Sequence, residues 1–251
     1  MTTLQAAPRP GALLVAWEMF RDTVKIAGYL WLAMAALLTV TVAVFHDAQF
    51  GSLWAGLAGA PRIYLLVMGI VTAGVMLRLY VAVGRTRREY LLGGLIHGPA
   101  SGAVLTLAVL AGLGLERLTY AVVGGEQFPA GGDLFSSVEA MAAGTVALFT
   151  TNTAFYFSGW LIGAGFYRLH WLIGLILIVP AAAPMLMVTD VSAAEGGGFR
   201  GGFEIGARQT LESGHATSSA WLAAGVAFAA LAAAGVWLLL RDAPIKPPRI
   251  V

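Results

Sequence analysis

Residues 219–240 read Ser219-Ala-Trp-Leu-Ala-Ala-Gly-Val-Ala-Phe-Ala-Ala-Leu-Ala-Ala-Ala-Gly-Val-Trp-Leu-Leu-Leu240, with no charged side chain until Arg241 and Asp242. At 1.5 Å per residue the run is about 33 Å long as a helix, enough to cross the hydrocarbon of a bilayer. Five more apolar stretches come before it, at about Ile26 to Phe45, Ile63 to Val83, Ile96 to Val123, Val138 to Phe166 and Trp171 to Val188. Six spans take about 120 residues, leaving short loops, one or two longer connections and the tails. The third and fourth stretches exceed the minimum and are expected to tilt, kink or project, with Gly98-Pro99 and Pro180/Pro184 as kink points.

The whole composition agrees. Of 251 residues 59% are hydrophobic, 11% are charged and 32 are glycine, whereas water-soluble domains carry roughly 25% charged residues. The reading is an all-α polytopic membrane protein: an N-terminal segment 1–25, a six-helix domain 26–241 and a tail 242–251. Leu13, Leu14, Trp17, Phe20 and Val24 recur at helical spacing opposite Glu18, Arg21, Asp22 and Lys25. That pattern predicts a helix lying in the interface before the chain turns into the bilayer.

Charge sets the direction. With the N-terminus in the cytoplasm, Arg9, Arg21, Lys25, Arg78, Arg85, Arg87, Arg88, Arg168, Arg241, Lys246 and Arg249 fall inside, and Arg62, Arg117, Arg200 and Arg208 outside. This asymmetry puts both termini in the cytoplasm.

Several chemistries lack their residues. The chain has no cysteine, so thiolate metal sites, iron–sulfur clusters and Cys nucleophiles are excluded. His46, His97, His170 and His215 are scattered and read as interfacial side chains rather than haem or metal ligands. No phosphate-binding loop, HExxH pair or GxSxG turn is present, and no long basic run suits nucleic acid. Any ATP would have to be bound by another subunit.

Two segments attract attention. Gly84-Arg85-Thr86-Arg87-Arg88-Glu89-Tyr90-Leu91-Leu92-Gly93, in the cytoplasmic loop 84–94, places guanidinium groups beside apolar side chains. Such a turn suits either docking on a partner's carboxylates or a topology signal against lipid phosphate. Thr150-Thr151-Asn152-Thr153, about a dozen residues into the fourth span, puts hydroxyls and an amide at membrane depth. There they serve interhelical bonding, or a substrate path or dimer contact. Arg78 is placed to snorkel, Glu116 and Arg117 to pair near the outer end of the third span or simply to sit in water, and the small side chains of Ala223 to Ala234 to admit close helix packing.

Gly84-Arg85-Thr86-Arg87-Arg88-Glu89-Tyr90 resembles the G-x-[ST]-R-R-x-[FY] segment after the second span of small six-span permease subunits of bacterial type 2 ABC exporters. Gly163-Ala164-Gly165-Phe166-Tyr167-Arg168 is similar to their G-x-x-[YF]-[YF]-R, and Leu240-Arg241-Asp242-Ala243-Pro244-Ile245-Lys246 to their L-R-R-A-P-[IV]-[KR]. Arg85, Asp242 and the long glycine-rich outer connection 190–218 depart from the pattern. The resemblance implies a multi-pass subunit of the bacterial cell membrane that exports a hydrophobic or amphipathic molecule: a lipid, peptide or antibiotic. It implies two partners besides membrane lipid: an ATP-binding cassette subunit that holds the ATP and magnesium, and a second permease, identical or homologous. It further implies that Arg85, Arg87, Arg88, Glu89, Tyr90 and Leu91 couple the bundle to that ATPase, with the N-terminal helix framing the contact. The competing reading is a non-transporting assembly, regulatory or immunity protein that uses the same basic loop, and no convergent acid, base or ligand set supports an intramembrane enzyme.

Overall fold

The computed structural model describes residues 11–44, 59–123, 135, 137–169, 171–181 and 219–243. Among them there is no strand. The helices are α1 (Gly11–Val44), α2 (Ala60–Val71), a π-helical turn (Thr72–Met76), α3 (Leu77–Ala82), α4 (Arg87–Val123), α5 (Val138–Arg168), α6 (Trp171–Ile176), α7 (Ile178–Ala181) and α8 (Ser219–Leu240). Four stretches are long and apolar enough to cross a membrane: Gly11–Thr41, Ala60–Ala82, Arg87–Val122 and Leu222–Leu240. The chain is thus a helical, multi-pass membrane protein. Of the expected fifth span, Trp171 to Val188, the described part ends at Ala181, and the outer connection 189–218 lies outside the described residues.

α5 is the axis of the bundle and packs against α2, α4 and α8. It is not among the four, because Thr150, Thr151 and Asn152 dilute its apolar character. Eighteen of its 31 residues are buried, so its polar groups meet protein and not lipid. Ser137 caps its first turn by accepting the Ala140 N–H at 3.0 Å.

Glycine sets how closely the helices approach. On α4, Gly94, Gly98 and Gly102 form a ridge at four-residue spacing that receives Trp160, Tyr156 and Thr153 of α5. A Cβ on Gly98 would stand 2.4 Å from Tyr156 Cδ1. Across the other face Gly159 lies on the backbone of Leu66, and Gly163 on Ile70 and Ala73. Without a strong hydrophobic drive in lipid, this dense backbone approach is what holds spans together. The Ala223 to Ala234 face of α8 takes a lesser part, with Gly225 against Thr150. Paired positions give the directions: residues 94, 98 and 102 against 160, 156 and 153 make α4 and α5 antiparallel, and Leu66 on Gly159 followed by Ile70 on Gly163 makes α2 and α5 parallel.

α1 corrects one expectation. No turn separates an interfacial helix from the first span; the helix is continuous from Gly11 to Val44. Val15, Met19, Thr23, Ala27 and Trp31 form an unbroken buried stripe at four-residue spacing, so packing along α4 carries the helix straight through Lys25. Leu13 and Trp17 point away from the bundle. Pro99 lies inside α4, which continues past it, and Pro180 lies in α7; Pro184 is outside the described residues.

Candidate functional site

The loop expected at 84–94 is far shorter in the structure. α3 ends in a Schellman closure, with Gly84 N–H on the Val81 carbonyl at 3.0 Å and Arg85 N–H on the Tyr80 carbonyl at 3.0 Å. Gly84 has φ +85°, a conformation open to glycine at little cost. Immediately afterwards Thr86 and Glu89 make a capping box. The Thr86 N–H and hydroxyl donate to Glu89 Oε2 at 2.9 and 3.0 Å, and the Glu89 N–H donates to Thr86 Oγ1 at 3.2 Å. Four residues, 83–86, therefore join two capped helix ends, which fixes the backbone from which the arginine side chains leave. Glu89 stands ahead of the apolar part of α4, and the two donors of Thr86 hold its carboxyl below the ordinary range.

Arg88 is exposed, and Arg85 and Arg87 are half-buried; none has an ion pair among the described residues. Tyr90 and Leu91, expected to serve as outward anchors, are 0% and 1% exposed. The physical reason is helical phase: they lie on the side of α4's first turns that faces the bundle. The Tyr90 hydroxyl donates to the carbonyl of Thr72, at the start of the π-helical turn, where the backbone ladder is locally disturbed. The Tyr90 ring lies 6.0 Å from Tyr80 and 6.5 Å edge-on from Trp160. Tyr90 thus ties the basic turn to the second span from within.

The other two segments that carry the resemblance lie at this same end. Arg168 Nη1 donates to the carbonyls of Leu239 at 2.6 Å and Leu238 at 3.3 Å, closing the end of α8. The Arg78 guanidinium sits 5.3 Å over the Tyr167 ring, so Arg78 has a protein partner as well as reach to the interface. Leu240 and Ala243 are buried in one cluster with Tyr80, Tyr90 and Tyr167. Gly11 lies against Glu89 and Gly93 against Val15, which places the start of α1 beside the basic turn. Exposed pairs Arg21–Asp22 and Arg241–Asp242 link only sequence neighbours and add little.

The Thr150–Thr153 segment is enclosed. Thr150, Asn152 and Thr153 are buried, and Asn152 Nδ2 donates to Thr106 Oγ1 at 3.0 Å. Thr151 returns its hydroxyl to the Ala147 carbonyl at 2.8 Å. Asn152 Oδ1 and Thr153 Oγ1 have no hydrogen-bond partner among the described residues. His97 is not interfacial: it is 1% exposed, and its Nε2 meets Thr23 Oγ1 at 3.0 Å and Ser101 Oγ at 3.2 Å. The four-residue spacing of His97 and Ser101, and of Gly94, Gly98 and Gly102, was the available signal for this face. His46, His170 and His215 lie outside the described residues, which contain no group of three metal-ligating side chains.

Comparison with protein-family models, with curated proteins and with solved structures returns no match.

Proposed function

We propose that this chain is the six-span permease subunit of a type 2 ABC exporter in a bacterial cell membrane, with both termini cytoplasmic. It moves a hydrophobic or amphipathic substrate together with a second permease, and a separate ATP-binding subunit binds ATP and magnesium. One observation carries the reading: three segments far apart in sequence, Gly84–Tyr90, Gly163–Arg168 and Leu240–Ala243, pack together at one end of the bundle. There Arg85, Arg87 and Arg88 project from a turn that Thr86, Glu89 and Tyr90 make rigid. A rigid turn transmits force once gripped, and guanidinium forks give directional grip on carboxylates. Glu89 and Tyr90 act by holding the turn, and Leu91 by packing beneath it, so the direct contacts belong to the arginines.

The test is paired substitution of Arg87 and Arg88. Membranes expressing the tagged chain should yield a complex that hydrolyses ATP. The Arg87→Ala/Arg88→Ala pair should lose the ATPase subunit or its stimulated hydrolysis. The Lys pair should restore only part, because charge is kept while the fork is lost. A cysteine at position 87 should react with an impermeant reagent only after lysis. Full hydrolysis in the Ala pair would remove the coupling role, and a stable partner without ATPase activity would favour the assembly or regulatory reading.

A further inference from the structure

Arg62 was expected at the outer surface, yet it is 3% exposed in the first turn of α2. A guanidinium keeps its proton under all ordinary conditions, and an isolated buried charge is costly unless it is paired. Its Nε and Nη2 have no hydrogen-bond partner among the described residues. These two nitrogens form one edge of the planar group, with parallel N–H bonds matched to two oxygens of a carboxylate or phosphate. The unpaired, buried edge is therefore a whole bidentate fork.

Its place in the bundle narrows the ligand. Arg62 continues, one turn earlier, the stripe of Leu66, Gly69 and Ala73 that packs on α5. Ala60–Ala82 spans 23 residues, about 35 Å of helix, so Arg62 is a full hydrocarbon thickness away from the basic turn. The positive end of the α2 dipole lies at the same point and favours negative charge.

We infer that Arg62 holds the oxyanion, phosphate or carboxylate, of an amphipathic molecule at the membrane face opposite the basic turn. The fork binds the anion, and the apolar part of the molecule lies along the bundle. This inference is independent of the coupling role, since it concerns the chain without an ATPase.

The full-length chain, purified in neutral detergent, is titrated with phosphatidylglycerol, with phosphatidylcholine and with inorganic phosphate, and bound molecules are counted by native mass spectrometry. Phosphatidylglycerol should be retained in preference to phosphatidylcholine. Arg62→Gln should weaken that retention about tenfold or more, the scale for loss of hydrogen bonds to a charged group, and Arg62→Lys should fall between. Inorganic phosphate binding with the same Arg62 dependence supports the oxyanion site and identifies its source as a free anion. Equal retention of the two lipids with no phosphate binding, or unchanged phosphatidylglycerol affinity in Arg62→Gln, overturns the inference. If the Gln variant does not fold, Arg62→Lys decides, and wild-type affinity there overturns the fork.

Discussion

Replacing Tyr90 separates two contributions that meet in one side chain. Tyr90→Phe removes only the hydroxyl and its bond to the Thr72 carbonyl. Interhelical hydrogen bonds within membranes average about 0.6 kcal/mol and reach about 1.7. The expected loss falls in that range. Tyr90→Ala also empties a site that is 0% exposed and bordered by Tyr80 and Trp160. Removing a buried ring costs about 3 to 5 kcal/mol, so the Ala variant should lose clearly more than the Phe variant. Reversible unfolding in mixed micelles, followed through tryptophan fluorescence, reads both. A cost below about 1 kcal/mol for Tyr90→Ala would refute the inward packing of this residue and restore it as a surface anchor. A Phe variant as damaged as the Ala variant would show that the bond to the π-helical turn dominates. An Arg87/Arg88/Tyr90 triple substitution would mix fold and docking, which is why the docking test keeps Tyr90.

Two further outcomes follow from the packing and the cap. Gly159→Ala, whose Cβ would fall 1.9 Å from the Leu66 carbonyl oxygen, should separate α2 from α5 and cost at least the 1 to 3 kcal/mol typical of overpacking, while Gly28→Ala, with nothing within 4 Å, should be neutral or slightly stabilising; thermal melts of the two variants check the contrast. The Glu89 carboxyl is held below its unfolded value, so its capping contribution is complete above about pH 4.3 and fades as pH falls through the lower folded value. Glu89→Gln should flatten that acid limb of the stability profile.

Four of the expected spans were legible because lipid makes a simple demand: a long run with every backbone group bonded internally and apolar side chains outside. Ser219–Leu240 needs no more than that to be read. The start of α5 at Val138 coincides with the start of the fourth apolar stretch. Phase around a helix was harder. Tyr90 and Arg88 are two residues apart, and hydropathy alone does not say which of them turns inward; that is decided by α2 and α5, which arrive from elsewhere in the chain. Arg62 was assigned to the surface by its charge, and only the register of α2 on α5 buries it. The α4 glycines carried their own signal in their spacing, whereas the continuity of α1 depended on a stripe, Val15 to Trp31, that overlaps a second apolar face.

The modest apolar character of α5 bears on how the protein is made. A segment holding Thr150, Thr151 and Asn152 partitions weakly into lipid by itself, and an uncompensated amide there is unfavourable. Two of its three packing partners, α2 and α4, precede it in the chain, and Thr106 is already present to receive Asn152. α8, which covers another side, is synthesised last. The α5 face around Thr150 that Gly225 covers is therefore completed only when α8, the last of these helices in the chain, arrives.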